Sequence, residues 1–129
     1  MSGTIKEAVA FGEHIDPEKL TQALKAACAE FVYQLPEQME PPLGEQGHGL
    51  SEGQIQRLAV ARAVYSGHPV LILDEATSAL DMDTEEQALR NIMKRDSGRT
   101  CIVTTHRPSV LSVSNHIYEI RERNLKQLK

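Results

Sequence analysis

Two short apolar runs constrain the fold of this 129-residue chain more than any other feature. The first is "VLIL" at residues 70–73, and the second is "TCIVTT" at residues 100–105. The first run does not alternate apolar with polar residues, which predicts a strand covered on both faces. The segment between the runs has helical spacing. Together they predict a βαβ unit with parallel strands and a right-handed crossover.

Polar side chains follow both runs at the points where the strands are expected to end. Asp74 and Glu75 follow the first run, and Thr105 and His106 follow the second. Ligands of such sheets bind beyond the carboxyl ends of the strands. Asp74 suits Mg²⁺, Glu75 then suits general-base chemistry, and His106 suits developing phosphate charge. The alternative is that the two acids begin a polar loop and the histidine is a surface turn residue.

The stretch "GLSEGQ" at residues 49–54 predicts a helix N-terminus that faces an anion. Ser51 and Gln54 have the spacing of a capping box. Free backbone N–H groups and the helix dipole favour phosphate at such a position. Gly49 and Gly53 remove side chains that would block a close approach. The alternative is a plain helix cap without a ligand.

The N-terminal part of the chain is predicted to be helical. Thr4 and Glu7 fit a capping box for a short first helix, and Asp16 with Pro17 predicts the start of a second. Leu20, Leu24, Ala27, Cys28 and Phe31 continue that second helical pattern. Prolines and glycines predict a loop over residues 35–49.

Beyond the first strand, Asp83 and Glu86 are expected to cap a helix that carries Ala88, Leu89, Ile92 and Met93 and closes at Gly98. A short helix over residues 109–113 and a last strand near "HIYEI" follow. The final "RERNLKQLK" is predicted to be a solvated tail.

Composition excludes several classes of function. The net charge of −4 argues against a nucleic-acid partner. The chain has neither the apolar core of a secretory signal nor a run that could cross a bilayer. Cys28 and Cys101 lack metal-like spacing and are expected to be reduced residues of the core.

Four motifs in register over residues 49–107 resemble ATP-binding-cassette (ABC) ATPases. "LSEGQIQRLAVARA" is similar to their signature motif and "VLILDE" to their Walker B strand. "SALD" is similar to their D-loop and "TTHR" to their switch-histidine loop. The resemblance implies that Asp74 coordinates Mg²⁺, that Glu75 is the catalytic glutamate and that His106 senses the γ-phosphate of ATP.

The same resemblance implies a head-to-tail dimer of nucleotide-binding domains. Ser51, Gly53 and Gln54 would contact the γ-phosphate of an ATP held mainly by the opposing subunit. Asp81, in the D-loop, would couple the two sites. Transmembrane domains of a transporter would be the further partners, and the domain would lie at the cytoplasmic face of the membrane.

The phosphate loop of this family, G-x-x-x-x-G-K-[ST], is missing, because no glycine of the sequence is followed by lysine. The expected fold is α/β, a partial P-loop NTPase (RecA-like) parallel sheet plus the ABC helical subdomain, without the Walker A half. Residues 1–50 would form the helical subdomain, and residues 51–129 would form the signature helix and the C-terminal half of the ATPase core. A truncated domain or a split domain, whose N-terminal half is another polypeptide, would both give this sequence. Unpaired sheet edges then predict self-association.

The predicted function is that of an ATP-binding, ATP-hydrolysing component of an ABC transporter coupled to export. Without Walker A, the chain alone is not expected to bind ATP tightly or to hydrolyse it. One alternative is the C-terminal ATPase lobe of a chromosome-maintenance or DNA-repair ATPase, although sustained heptads are absent upstream. The other is a non-catalytic interaction fragment.

Overall fold

The computed structural model describes residues 9–10, 14–34, 50–95 and 98–129. Within these ranges, the structure is an α/β arrangement of helices and strands. In chain order they are α1 Pro17–Ala26, the 3₁₀-helix η1 Glu30–Gln34, α2 Glu52–Tyr65, β1 Val70–Asp74, α3 Met82–Arg95, β2 Thr100–Thr104, the 3₁₀-helix η2 Pro108–Val113, β3 Tyr118–Arg121 and β4 Asn124–Gln127. The predicted helix start at Thr4 and Glu7 and the predicted loop at 35–49 lie outside the described residues. No helix in the described ranges combines the length and apolar character that a membrane span requires.

Helix α1 begins as predicted. The Asp16 side chain accepts two backbone N–H groups of the first turn, and Pro17 occupies the first turn. The Tyr65 hydroxyl, at the end of α2, accepts a hydrogen bond from Asp16 N at 2.9 Å and donates one to His14 O at 3.0 Å. The start of α1 is therefore tied to the last turn of α2. The helix ends earlier than its apolar pattern does, because Cys28 takes a left-handed φ of 56°.

The capping box predicted for α2 is confirmed. Ser51 Oγ accepts Gln54 N at 3.1 Å, and Gln54 Oε1 accepts Ser51 N at 2.9 Å. Gly67, with a φ of 71°, follows the end of the helix.

The buried face of α2 differs from the predicted one. Helical spacing in the sequence predicts one face that carries Ile55, Leu58, Ala59, Arg62 and Tyr65. In the structure, Ala59 is exposed and Ile55 is only half-buried. Because α2 contacts both α1 and β1, its apolar surface is wider than one stripe. The buried residues of α2 are Leu58, Val60, Ala61, Val64 and Tyr65.

The predicted βαβ unit is confirmed in its order and in the parallel pairing of its strands. Strand β1 pairs with β2 in a register that sets Val70 opposite Thr100 and Asp74 opposite Thr104, and α3 connects the two. On one face, Leu71 and Leu73 are buried in the core.

The expectation that the first strand is covered on both faces is wrong for the described residues. Val70 is 50% exposed, Ile72 68% and Ile102 50%, and these side chains share the face opposite to the core. The described helices cover one face only, which leaves these three apolar side chains in contact with solvent.

The two thiols are free and half-buried, and burial raises the pKa of each. Cys101 packs against the core cluster through the covered face of β2, which agrees with its prediction as a core residue. Cys28, which is also predicted to be a core residue, is half-buried and is not among the described residues that pack against the core cluster.

Helix α3 starts two residues earlier than predicted. Asp81, rather than Asp83, caps it by accepting hydrogen bonds from Thr84 N at 3.1 Å and Thr84 Oγ1 at 2.6 Å. Glu86 does not cap either, since its carboxylate pairs with Arg90 at 2.8 Å one turn further on. Three of the predicted apolar residues are buried, namely Ala88, Leu89 and Ile92, whereas Met93 is 36% exposed. The helix ends at Arg95, before Gly98.

The C-terminal region contains a hairpin that was predicted only in part. The short helix near residues 109–113 is the 3₁₀-helix η2, and the last predicted strand corresponds to β3. The predicted solvated tail is instead the turn and strand β4, whose residues are all exposed. The turn residues Glu122 and Arg123 both take positive φ, at 52° and 68°. Glycine or asparagine usually occupies such positions, and positions 122 and 123 hold neither, so no local pattern predicts this turn.

Candidate active site

The register of the parallel pair places the end of β1 against the end of β2. Thr104 Oγ1 donates a hydrogen bond to Asp74 Oδ1 at 2.5 Å. The backbone N–H of Glu75 lies 3.0 Å from Thr104 Oγ1 and 3.2 Å from Thr104 O. Thr104 is therefore a site residue that sequence reasoning missed, although the pairing of two five-residue strands would have pointed to it.

Glu75 and His106 meet at this edge. His106 Nε2 lies 2.8 Å from Glu75 Oε1, and the two side chains are 92% and 50% exposed, respectively. A carboxylate only accepts hydrogen bonds, so the imidazole donates from Nε2. The predicted convergence of the acids and the histidine is thus confirmed as geometry, and their roles in catalysis stay predictions.

The backbone of Glu75 has a left-handed conformation, with a φ of 50°. This region is sparsely populated by residues with a side chain and costs about 1–3 kcal/mol. The conformation turns the chain sharply at the end of β1, where the main-chain N–H of Glu75 bonds to Thr104 O. It places the Glu75 carboxylate beside His106 and above the edge of the sheet.

The structure explains the glycine at position 53 by a close contact with protein backbone, whereas the sequence prediction explained it by a close approach of phosphate. A Cβ at this position would lie 3.1 Å from Ala79 O and 3.5 Å from Leu80 Cδ2. The missing side chain therefore lets the first turn of α2 approach the backbone of residues 76–80, which we call the linking loop. A contact of Gly53 with phosphate stays a prediction.

Gln56 joins α2 to the linking loop and was also missed. Its Nε2 donates to Ser78 Oγ at 3.0 Å, and its Oε1 accepts from Ala79 N at 2.8 Å. The structure connects the capped end of α2 to Asp74 and Glu75 through this loop. In the sequence, Gln54 and Gln56 are both polar residues near the start of a helix. Only the fold shows that Gln54 caps the helix and that Gln56 bonds to the linking loop.

Arg107 and Glu85 complete the surroundings of the linking loop. The Arg107 guanidinium donates to Leu80 O and Ser78 O and lies 3.6 Å from Glu85 Oε1. The other Glu85 oxygen accepts the Thr77 hydroxyl at 2.6 Å, and this carboxylate is only 1% exposed. Sequence reasoning missed Glu85 because it is one of several acids near the start of α3.

Asp81 is engaged in the cap of α3. Hydrogen bonds from the Thr84 side chain and backbone hold the pKa of the Asp81 carboxyl below its ordinary value. The carboxylate is exposed and stays ionised over the neutral range. Its role across a dimer stays a prediction.

The donor set at the sheet edge fits Mg²⁺ held together with a nucleotide. No cluster of three or more acidic, histidine or cysteine side chains in the described ranges would hold a metal alone. Mg²⁺ in phosphate-transfer sites takes one or two carboxylates and completes its shell with water and phosphate oxygens. Asp74, held by Thr104, is the carboxylate at this edge that could serve as such a ligand, and its role as a Mg²⁺ ligand stays a prediction.

Comparison with known proteins identifies the family. A family model described as "ABC transporter" matches residues 3–78 of this chain. The chain belongs to the ABC transporter family. It is 45% identical over 116 residues to an "ATP-dependent lipid A-core flippase" of Saccharophagus degradans, covering 88% of this chain and 20% of the relative. A relative of the same name from Pseudoalteromonas atlantica is 46% identical over 128 residues, with coverages of 96% and 22%.

The solved structures agree with this assignment. The chain superimposes on a bacterial Atm1-family ABC exporter with ATP bound, with a TM-score of 0.81 and 36% identity. The match covers 90% of this chain and 21% of the exporter chain. This confirms the predicted α/β fold and the resemblance to an exporter of the ABC family. The chain spans about a fifth of the length of these relatives.

Proposed function

We propose that this chain supplies the hydrolytic residues of a nucleotide-binding domain in an ABC exporter. The observation that carries the proposal is the contact of 2.8 Å between His106 Nε2 and Glu75 Oε1 at the carboxyl edge of the parallel strands. The family assignment and the likeness to an exporter with ATP bound support ATP as the substrate of this site.

Glu75 is the general base in this proposal. Its carboxylate accepts a proton from the water that attacks the γ-phosphorus of ATP, while the bond from phosphorus to the bridging oxygen breaks and ADP leaves. His106 Nε2 donates a hydrogen bond to Glu75 Oε1, which fixes the direction of the carboxylate. In the imidazolium form, Nδ1–H is a second donor for a phosphate oxygen. Mg²⁺, when bound through Asp74, neutralises charge on the phosphates.

The remaining predicted residues serve a second subunit in this proposal. Ser51, Gly53 and Gln54 contact the γ-phosphate of ATP held by an opposing nucleotide-binding domain, and Asp81 couples the two sites. The capped N-terminus of α2 supports this reading, because its N–H groups and dipole favour an anion. Residues 1–50 then form the helical subdomain, and residues 51–129 form the signature helix and the C-terminal half of the ATPase core.

The assembly in this proposal is an exporter whose transmembrane domains lie on other parts of the protein or on other chains. A second half that carries the phosphate loop completes the nucleotide site, and the domain lies at the cytoplasmic face of the membrane. The names of the flippase relatives support a lipid as the transported class. Alone, the chain lacks the lysine and glycines that hold the phosphates and is expected to have negligible ATPase activity.

Mixing the chain with a polypeptide that carries a matching Walker A half tests the proposal. ATPase activity should appear only in the mixture, and Glu75→Gln should lower kcat by about 100-fold or more, the usual contribution of a general base. Glu86→Gln is the matched control, since Glu86 pairs with Arg90 on α3 away from the edge. Full activity of the Glu75→Gln mixture would refute the assignment of Glu75. Low-micromolar ATP binding by the chain alone would refute the separate expectation that the chain does not bind ATP tightly without the phosphate loop.

A further inference from the structure

Arg107 follows His106 in the chain but reaches back to a different part of the molecule. Its guanidinium donates to the carbonyl oxygens of Ser78 and Leu80, on either side of Ala79 in the linking loop. Two backbone acceptors are thus held by one planar group. The fork of an arginine matches this task, whereas the single ammonium of a lysine would hold fewer acceptors at once.

Glu85 fixes the guanidinium from the other side. Its Oε1 lies 3.6 Å from Arg107 Nη1, and its Oε2 accepts the Thr77 hydroxyl. The carboxylate is 1% exposed and the Arg107 side chain is 31% exposed. A carboxylate so deeply buried requires a cation or hydrogen-bond donors beside it. The buried charge therefore stabilises Arg107 in the orientation that holds the linking loop.

Gln56 holds the same loop through other atoms. It bonds to Ala79 N and to the Ser78 hydroxyl, whereas Arg107 bonds to the carbonyl groups of Ser78 and Leu80. Because the two side chains use different groups, both sets of bonds exist at once. The loop is therefore clamped between α2 and the segment that carries His106.

The backbone of Arg107 is itself anchored. Its N–H donates to Thr105 Oγ1 at 2.9 Å, and its carbonyl accepts Val110 N at 3.2 Å in the turn of η2. A displacement of Arg107 therefore displaces the neighbouring His106. The linking loop and His106 are thus joined through the side chain and the backbone of Arg107.

We propose that Arg107 is a positioning residue that fixes His106 relative to residues 78–80, with Glu85 as its buried counter-ion. The phosphate-facing histidine and the linking loop then move as one unit. This inference rests on the proposed function, since it assigns His106 to the nucleotide. In this proposal, the linking loop, which leads to Asp81, sets the position of His106 beside Glu75 within the same chain.

Hydrogen exchange in the chain alone tests the clamp without any activity. Arg107→Ala should raise the exchange rates of the Ala79 and Leu80 amides about tenfold. These amides donate to Gln56 Oε1 and Thr77 O, and the loop that carries them opens more readily once the charged hydrogen bonds to the Ser78 and Leu80 carbonyls are lost. Arg107→Lys should have a smaller effect. Arg90→Ala, which removes an exposed ion pair on α3, should leave these amides unchanged. If Arg107→Ala does not fold, Glu85→Gln replaces it in the test and should raise the same exchange rates. The glutamine can still accept the Thr77 hydroxyl, but it lacks the negative charge that orients Arg107.

ATPase assays of the mixture with the Walker A half test the consequence. Arg107→Ala should lower kcat about tenfold and leave KM for ATP within about twofold, with partial recovery in Arg107→Lys. Unchanged exchange at Ala79 and Leu80, or a uniform rise that includes the amides of α1, would overturn the clamp. If Glu75→Gln abolishes activity but Arg107→Ala leaves kcat unchanged, the positioning role of Arg107 is overturned. An active Glu75→Gln mixture would refute the proposed function and leave the exchange result standing.

Discussion

Replacement of Gly53 by alanine tests the close approach of α2 to the linking loop. The new methyl group would lie 3.1 Å from Ala79 O, closer than carbon and oxygen normally approach. Relief requires that the loop or the helix move by a few tenths of an ångström. The loop cannot yield freely, because Gln56 bonds to Ala79 N and Arg107 bonds to the carbonyl groups on both sides.

Two opposing contributions set the magnitude. Alanine in place of glycine favours a helix by roughly 0.5–1 kcal/mol. Overpacking of a close contact typically costs about 1–3 kcal/mol. We expect the second contribution to exceed the first, so Gly53→Ala should lower the free energy of unfolding by about 1 kcal/mol.

Urea unfolding, followed by far-UV circular dichroism, measures this change. Gly98→Ala is the matched control, because a Cβ there meets nothing within 4 Å. Its unfolding free energy should stay within about 0.5 kcal/mol of the parent chain. A Gly53→Ala variant at least as stable as the parent would refute the argument that the linking loop cannot move.

Two further predictions concern the cap of α3 and the open face of the sheet. The pKa of Asp81 is lowered in the folded chain, so its contribution to stability is present above the pKa of the unfolded state, about 4, and is lost as the pH falls through the folded value. The difference in urea midpoint between the parent and Asp81→Asn should therefore be larger at pH 7 than at pH 2, and an equal difference at both would contradict it. Ile72 is 68% exposed, so Ile72→Thr should change the unfolding free energy by less than about 0.5 kcal/mol and reduce self-association in light scattering. Equal association of parent and variant would show that this face is not the contact.

The exposed face of the β1–β2 sheet and the separation of the strands into two sheets both favour the expected self-association. Strands β1 and β2 form one two-stranded sheet, and β3 and β4 form another. Apolar side chains lie exposed on both, including Ile102 at 50% and Ile120 at 79%. Exposed apolar patches and unpaired strand edges favour association with another chain. The exposed apolar side chains are the physical basis for self-association, which stays a prediction.

The sequence was sufficient where structure is local. Asp16 with Pro17 and Ser51 with Gln54 specify helix starts through hydrogen bonds within a few residues, and both starts are confirmed. The sequence did not identify the cap of α3, because several acids lie near the start of that helix. In the structure, Asp81 is the one that accepts the Thr84 N–H. The β3–β4 hairpin escaped prediction because its turn residues, Glu122 and Arg123, adopt positive φ without the usual glycine or asparagine.

By itself, the sequence determined the parallel pair of strands and placed Asp74, Glu75 and His106 at their carboxyl ends, because hydrophobic runs and chain order fix a βαβ unit. Tertiary structure alone decided which polar residues surround them. Thr104 becomes a partner of Asp74 through strand register, and Gln56, Glu85 and Arg107 meet at the linking loop from three separate elements. Contacts between residues distant in the chain depend on how the elements pack, and no local pattern encodes them.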